Sequence, residues 1–449
     1  MKRRLWILTA ALIALSLFQA GPASAQQRLI VRTTNLPLLK NTCLLNLCQI
    51  TETLDGTVGQ LVLVTLPKLL PIQALENVLR LVPGVLSVEE DLLRTIGPNQ
   101  PLLNGVPLGL YQRSPVAFAG ATVWSGYATQ PAVTDINLPQ ARLAFNTSSG
   151  KVIVADIDTG VDFTHPVLKS VLLQGYDFTR NQNGGNEMLD VTNSNAKPCT
   201  NSNCSTANVN QSTAAVLDQS TAAVLDQPTA AVLDQPGYSD FGHGTMVLGI
   251  IHLVAPNAML LPVKVFHADG TGYTSDIIRG LYYAVQNKAN VINMSFDFTV
   301  PSAELAQAIA NAEKNGVVCV ASAGNDGASE VVYPAGLAGV MGVASVGESR
   351  QRSTFSNYGT QVTYVAAPGE NIVSTYPYDT YASSSGTSFS APFVAGTAAL
   401  ALEMNGKPTS QEATSAIAQA QPLTPQMGHG LLDVFHALTY MQAVIGAKN

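Results

Sequence analysis

The chain has 449 residues, 46% of them apolar and only 12% charged. That composition excludes wholesale disorder and allows one large domain beside a smaller one. The formal net charge is −7, so no basic surface argues for nucleic acid as a partner.

The N-terminus opens with "MKRR", continues as the apolar run Leu5–Phe18 and reaches "ASA" at Ala23–Ala25. A basic start, a short apolar core and an A-x-A site predict an export signal over 1–25, cut after Ala25. The run is too short to span a bilayer comfortably, and no later segment reads as a stop-transfer helix, so no stable membrane anchor is expected. Five cysteines suit an exported protein that does not depend on a disulfide framework. Cys43 and Cys48 are close enough to close a small loop, as are Cys199 and Cys204. Cys319 sits in the apolar run "GVVCVAS" and is expected to be a buried, inert thiol. No CxxC pattern points to zinc.

"RLIVRTT" and "QLVLVTLP" are predicted strands. Leu75, Val78, Leu79 and Val82 follow helical spacing, and Pro83-Gly84 ends that helix. "VLSVEEDLLRTI" predicts a return to strand, so residues 28–96 form a small α+β module. A stretch rich in Gly, Pro and Asn follows from about 97 to 150, where a proteolytic boundary would be at home.

From Lys151 the runs "KVIVADID", "AMLLPVKVF", "NVINMSF", "GVVCVAS" and "VMGVASV" predict strands buried on both faces. Helical stretches such as "TSDIIRGLYYAVQNK" and "AELAQAIANAEKN" separate several of them. The alternation predicts an α/β fold with a doubly wound, mostly parallel sheet, whose site lies beyond the carboxyl ends of the strands. Between about 181 and 237 the pattern is interrupted. An Asn- and Ser-rich part precedes the unit STAAVLDQ at 212–219, which recurs at 220–227 and, with Pro228 for Ser, at 228–235. Eight residues at 100° per residue turn each copy about 80° from the last, so no apolar stripe forms. A tolerated surface insertion is expected, since loop closure entropy grows only logarithmically with length.

Three short stretches carry chemistry together. Asp158 ends "VIVADID" and precedes Thr159-Gly160; His243 lies in "GHGT"; Ser388 lies in "SSSGTSFSAP". A serine hydroxyl becomes a nucleophile when an imidazole takes its proton, and a carboxylate fixes the tautomer of that imidazole. Asn325, in "ASAGNDG" just past a predicted strand, supplies an amide to a developing oxyanion, with the Ser388 backbone N–H as a second donor. Removing one such donor costs on the order of 100- to 1000-fold in rate.

In this order, Asp then His then Ser, the chain resembles the subtilisin-like serine proteases from about Gly150 onward, the insertion apart. The resemblance implies Asp158 as orienting acid, His243 as general base, Ser388 as nucleophile and Asn325 as oxyanion donor. It also implies an inhibitory, chaperone-like propeptide of ferredoxin-like α+β fold over 26–114, removed by self-cleavage, ahead of a peptidase domain over 115–449. "DGTGYTSDII" resembles the edge strand that holds extended substrate, with Gly270, Thr271 and Gly272 exposing the backbone. Ser295, Phe296 and Asp297 resemble the opposite strand, and Ala323, Gly324 and Val332 complete the groove.

Departures from the family pattern matter. Asp156 stands where relatives are usually apolar, either as a hydrogen-bonded structural carboxylate or as a group that perturbs the titration of the triad. Asp297 replaces the usual glycine; it either favours basic or small side chains in substrate or points to solvent. Val167 replaces the carboxylate of the family's tight calcium site, and the loop that completes that site is missing. No cofactor is therefore expected, unless calcium binds elsewhere. The expectation is a secreted, monomeric serine endopeptidase acting on proteins or peptides and plugged by its own propeptide. The alternative is an inactive relative used for binding, its cleft obstructed.

Overall fold

The computed structural model describes residues 26–56, 58–68, 71–97, 108–146, 152–191 and 236–448. The export signal predicted over 1–25, the Cys199/Cys204 pair and the STAAVLDQ copies lie outside the described residues. The chain divides into two compact units after Leu92.

The first unit is a four-stranded antiparallel sheet with two helices. Its strands are β1 (Gln26–Thr33), β2 (Gln49–Thr53), β3 (Leu61–Pro67) and β4 (Val85–Glu90), in the order β2-β3-β1-β4. With helices Leu36–Leu45 and Ile72–Arg80, the succession β-α-β-β-α-β is ferredoxin-like. Helix Ile72–Arg80 buries Leu75 and Leu79, four apart on one face, as the spacing predicts. Helix Leu36–Leu45 buries Leu39 and Cys43, capped by the Asn35 side chain accepting from the Leu38 N–H. Cys43 and Cys48 form a disulfide just beyond it.

In the second unit a sheet runs β10-β9-β11-β8-β13-β14-β15-β16. Its main strands are β8 (Ile153–Asp158), β11 (Met259–Lys264), β13 (Val291–Met294), β14 (Val318–Ser322), β15 (Val340–Val346) and β16 (Val365–Pro368), all parallel to their neighbours. The two-residue strands β9 (Tyr176–Asp177) and β10 (Gln182–Asn183) form the far edge. Every residue of β13 to β16 is buried, as apolar runs covered on both faces require. From β8 the chain crosses to β11 on one side and then to β13 on the other. This is the reversal at which open α/β sheets form their crevice.

Two buried helices cross beside that crevice. The histidine helix, His243–Val254, is buried throughout; the serine helix, Thr387–Glu403, buries all but Leu402. Both are apolar all round, as helices enclosed by protein must be. Their close approach uses Gly396, where an added Cβ would lie 2.6 Å from the Val254 Cβ. A small antiparallel pair completes the crevice edge: β5 (Leu93–Thr95) lies along β12 (Thr271–Tyr273), with Thr95 opposite Thr271 and Arg94 opposite Gly272. "VLSVEEDLLRTI" is thus two strands, broken at Asp91-Leu92, and only the first joins the ferredoxin-like sheet.

Candidate active site

Asp158 is the last residue of β8, and the turn after it brings the Thr159 N–H to its Oδ1 at 2.6 Å. The same carboxylate holds His243 Nδ1 at 2.8 and 2.9 Å through its two oxygens. His243 begins its helix because Gly242 adopts φ 86° before it, and a Cβ at Gly242 would strike the Tyr376 ring at 2.3 Å. Burial works against the charged imidazole, but the adjacent Asp158 outweighs it and raises the His243 pKa above the ordinary value. With Nδ1 engaged, the buried Nε2 has no hydrogen-bond partner among the described residues. The ring packs 5.4 Å from that of Phe389, the residue after Ser388.

Ser388 is the second residue of the serine helix and is 2% exposed. Four residues on stands Pro392, which has no N–H to offer the Ser388 carbonyl. The Ser295 hydroxyl donates to that carbonyl instead, at 2.8 Å. Asn293 Nδ2 in turn donates to Ser295 Oγ and to Asp156 Oδ1, both at 2.9 Å. Asp156 is therefore a hydrogen-bonded buried acid at the end of a chain leading to Ser388. Burial first, then the Asp158 charge, raises its pKa well above the carboxylate range.

Asn325 lies just past β14. Its Oδ1 accepts from both the backbone N–H and the hydroxyl of Thr387, each at 2.9 Å. The Thr387 hydroxyl also receives the Gly324 N–H at 3.2 Å. With Oδ1 fixed on the start of the serine helix, the amide nitrogen lies toward Gly386, 3.5 Å from where a Cβ there would be. Thr387 thus fixes the Asn325 amide, a role that its place beside the serine concealed in the sequence.

Sequence reasoning also missed Glu187. Fully buried, it accepts from the Gly242 N–H (2.9 Å), from the Thr159 hydroxyl (3.1 Å) and from the Thr245 hydroxyl. Burial pushes its pKa up to about 8, against these donors and nearby Lys264. Lys264, equally buried, donates to Asp190 Oδ2 and to the carbonyls of Thr159 and Phe266.

Of the predicted groove residues, Gly270, Thr271 and Gly272 lie along the segment 94–96. Gly270 has φ 75°, and its carbonyl accepts the Ile96 N–H at 2.9 Å. Phe296 is buried between Phe266 and Phe298, with ring centres 5.1 and 5.2 Å away. Asp297 is half-buried: its Oδ1 lies 2.6 Å from the Cβ position of Gly97, and its Oδ2 3.1 Å from that of Gly324. Burial, then Asp326, raises the Asp297 pKa to about 7. Ala323 and Val332 are buried in the walls. Val167 is packed in the core, and its side chain carries no oxygen.

The sequence model of the subtilase family, Peptidase S8, matches residues 149–431. Subtilisin BL of Lederbergia lenta is 46% identical over 173 residues, 36% of this chain and 64% of that protein. An alkaline protease of Alkalihalobacillus alcalophilus is 45% identical over 173 residues, covering 36% and 45% of the two chains. Both shares fall below two thirds of those relatives' own length. The major intracellular serine protease of Bacillus subtilis is 33% identical over 298 residues, 61% of this chain and 78% of that protein.

Proposed function

Because the chain belongs to the subtilase family, we propose that it is a serine endopeptidase that uses Asp158, His243, Ser388 and Asn325. The observation that carries this is the His243 imidazole, held by Asp158 through Nδ1 at 2.8 Å, its Nε2 without a partner among the described residues and its ring 5.4 Å from that of Phe389 in the serine helix.

In this mechanism the Ser388 hydroxyl attacks the scissile carbonyl carbon while His243 Nε2 takes its proton. Asp158 keeps the proton-bearing Nδ1 in place and stabilises the imidazolium. The developing oxyanion is met by the Asn325 amide and the Ser388 backbone N–H. Collapse of the intermediate breaks the peptide C–N bond as His243 protonates the leaving amine; water then releases the acyl group by the same route. The substrate backbone adds a strand to β12, as β5 does in this structure.

The protein is further proposed to be an exported zymogen. The export signal over 1–25 supports secretion, and among the described residues no helix is long and apolar enough to cross a membrane. The ferredoxin-like unit, followed by a strand laid along β12, supports a self-removed propeptide. Ser388→Ala tests the proposal. It should abolish labelling by a fluorophosphonate and self-processing, and lower peptide hydrolysis by several orders of magnitude, about 10⁶-fold in subtilisin. An unmutated chain that neither labels nor hydrolyses would sink it.

A further inference from the structure

The strand β5 does more than pair its backbone. Arg94 faces inward opposite Gly272 and is only 7% exposed, unusual for a guanidinium. Its Nε donates to the Thr274 hydroxyl at 2.9 Å, and its guanidinium carbon lies 4.9 Å over the centre of the Phe298 ring. Phe298 is itself held: its backbone exchanges two hydrogen bonds with Tyr333, at 2.7 and 2.8 Å, and its ring stacks on Phe296. A planar cation therefore sits on a rigid aromatic face, its one lateral N–H aimed at a hydroxyl acceptor. Cation–π attraction strengthens when water is excluded, and hydrogen bonds from charged donors are the strong ones.

We infer that the pocket of Thr274 and Phe298 beside β12 is an arginine-selecting substrate subsite, so that the enzyme prefers peptides carrying arginine at the position Arg94 occupies. This rests on the peptidase assignment above. Held in register by the pairing of Arg94 with Gly272, the arginine of a bound peptide falls at one fixed position upstream of the cut. Lysine does not substitute: it lacks both the flat guanidinium that stacks and the Nε–H that meets Thr274.

Digestion of a randomised peptide library by the full chain, expressed and allowed to mature, tests this, with cut positions read by mass spectrometry. Arginine should be enriched roughly tenfold over alanine at one fixed position upstream of the cut, and clearly over lysine. Phe298→Ala should bring the arginine-to-alanine ratio toward one, Phe298→Tyr should restore it, and the nearly isosteric Thr274→Val should lower it if Phe298→Ala fails to fold. Cleavage with no arginine enrichment there, or enrichment untouched by both substitutions, overturns the inference while leaving the peptidase intact. Absence of any cleavage or fluorophosphonate labelling would instead strike the peptidase assignment beneath it.

Discussion

At the scale of single residues, the groups proposed to react were legible because each sits in a short stretch whose spacing and order carry meaning. The groups that hold them were not. Glu187 binds the histidine helix across 58 positions, to Thr245, and Ser295 reaches Ser388 across 93. No local pattern announces such pairs. Ser295, expected in the substrate strand, has its hydroxyl committed to the carbonyl that Pro392 cannot serve. Ser295→Ala should leave that buried carbonyl without a donor and cost about 1–3 kcal/mol. Denaturant titration should show this as a lower midpoint, with kcat falling more than KM changes, and Ser295→Thr should recover much of both. Asp156 shows the reverse limit: it is hydrogen-bonded, as the first expectation for it had it, and its own titration is raised by burial and then by Asp158.

At the scale of elements, the runs from "KVIVADID" to "VMGVASV" became β8, β11, β13, β14 and β15 because strands covered on both faces are written in near-continuous apolar runs, broken only by a few polar residues. β16 escaped notice as the four residues "VAAP", and helix Leu36–Leu45 because its apolar residues fall on more than one face. The break between β4 and β5 was hidden because strand propensity is continuous across it, while pairing partners are chosen by tertiary structure. The insertion is the element whose role most needs a test. Glu187, before it, is bonded directly to Gly242 and Thr245, after it, so the histidine turn is tied without the repeat. Deleting 212–235 should keep kcat/KM for a peptide within about twofold, because loop length enters closure free energy only logarithmically. Glu187→Ala, by contrast, strands three buried donors and should cost about 2–5 kcal/mol in a thermal or urea melt.

At the scale of the whole molecule, the doubly wound order of the sheet followed from alternating strands and helices, but which helices would be wholly enclosed did not. The histidine helix carries a second imidazole, His252, inside that enclosure. It stands edge-on to Phe118 at 5.6 Å, and neither ring nitrogen has a partner among the described residues. Burial first, then Arg142 and His165, lowers its pKa to about 4. An unfolded chain takes up this proton below about pH 6.5, the folded one only near 4. Between those values the unfolded state holds more protons, so stability is lost as the pH falls through that window. His252→Phe should lessen the loss in unfolding free energy between pH 7 and pH 5 by roughly 1–2 kcal/mol, read from urea midpoints at the two pH values. An equal loss in both proteins would remove His252 as a cause.

The contact of Gly396 with Val254 has a reach beyond its own packing. His243 and Ser388 each stand at the leading end of a buried helix, while the helices touch at a point farther along both. The crossing acts as a pivot, and the missing methyl group at Gly396 sets how near the two axes come. A misplacement of about 1 Å between reacting groups can cost 100-fold in rate. The alignment of the proposed base and nucleophile is thus gauged in part by a hydrogen atom that takes no share in the chemistry.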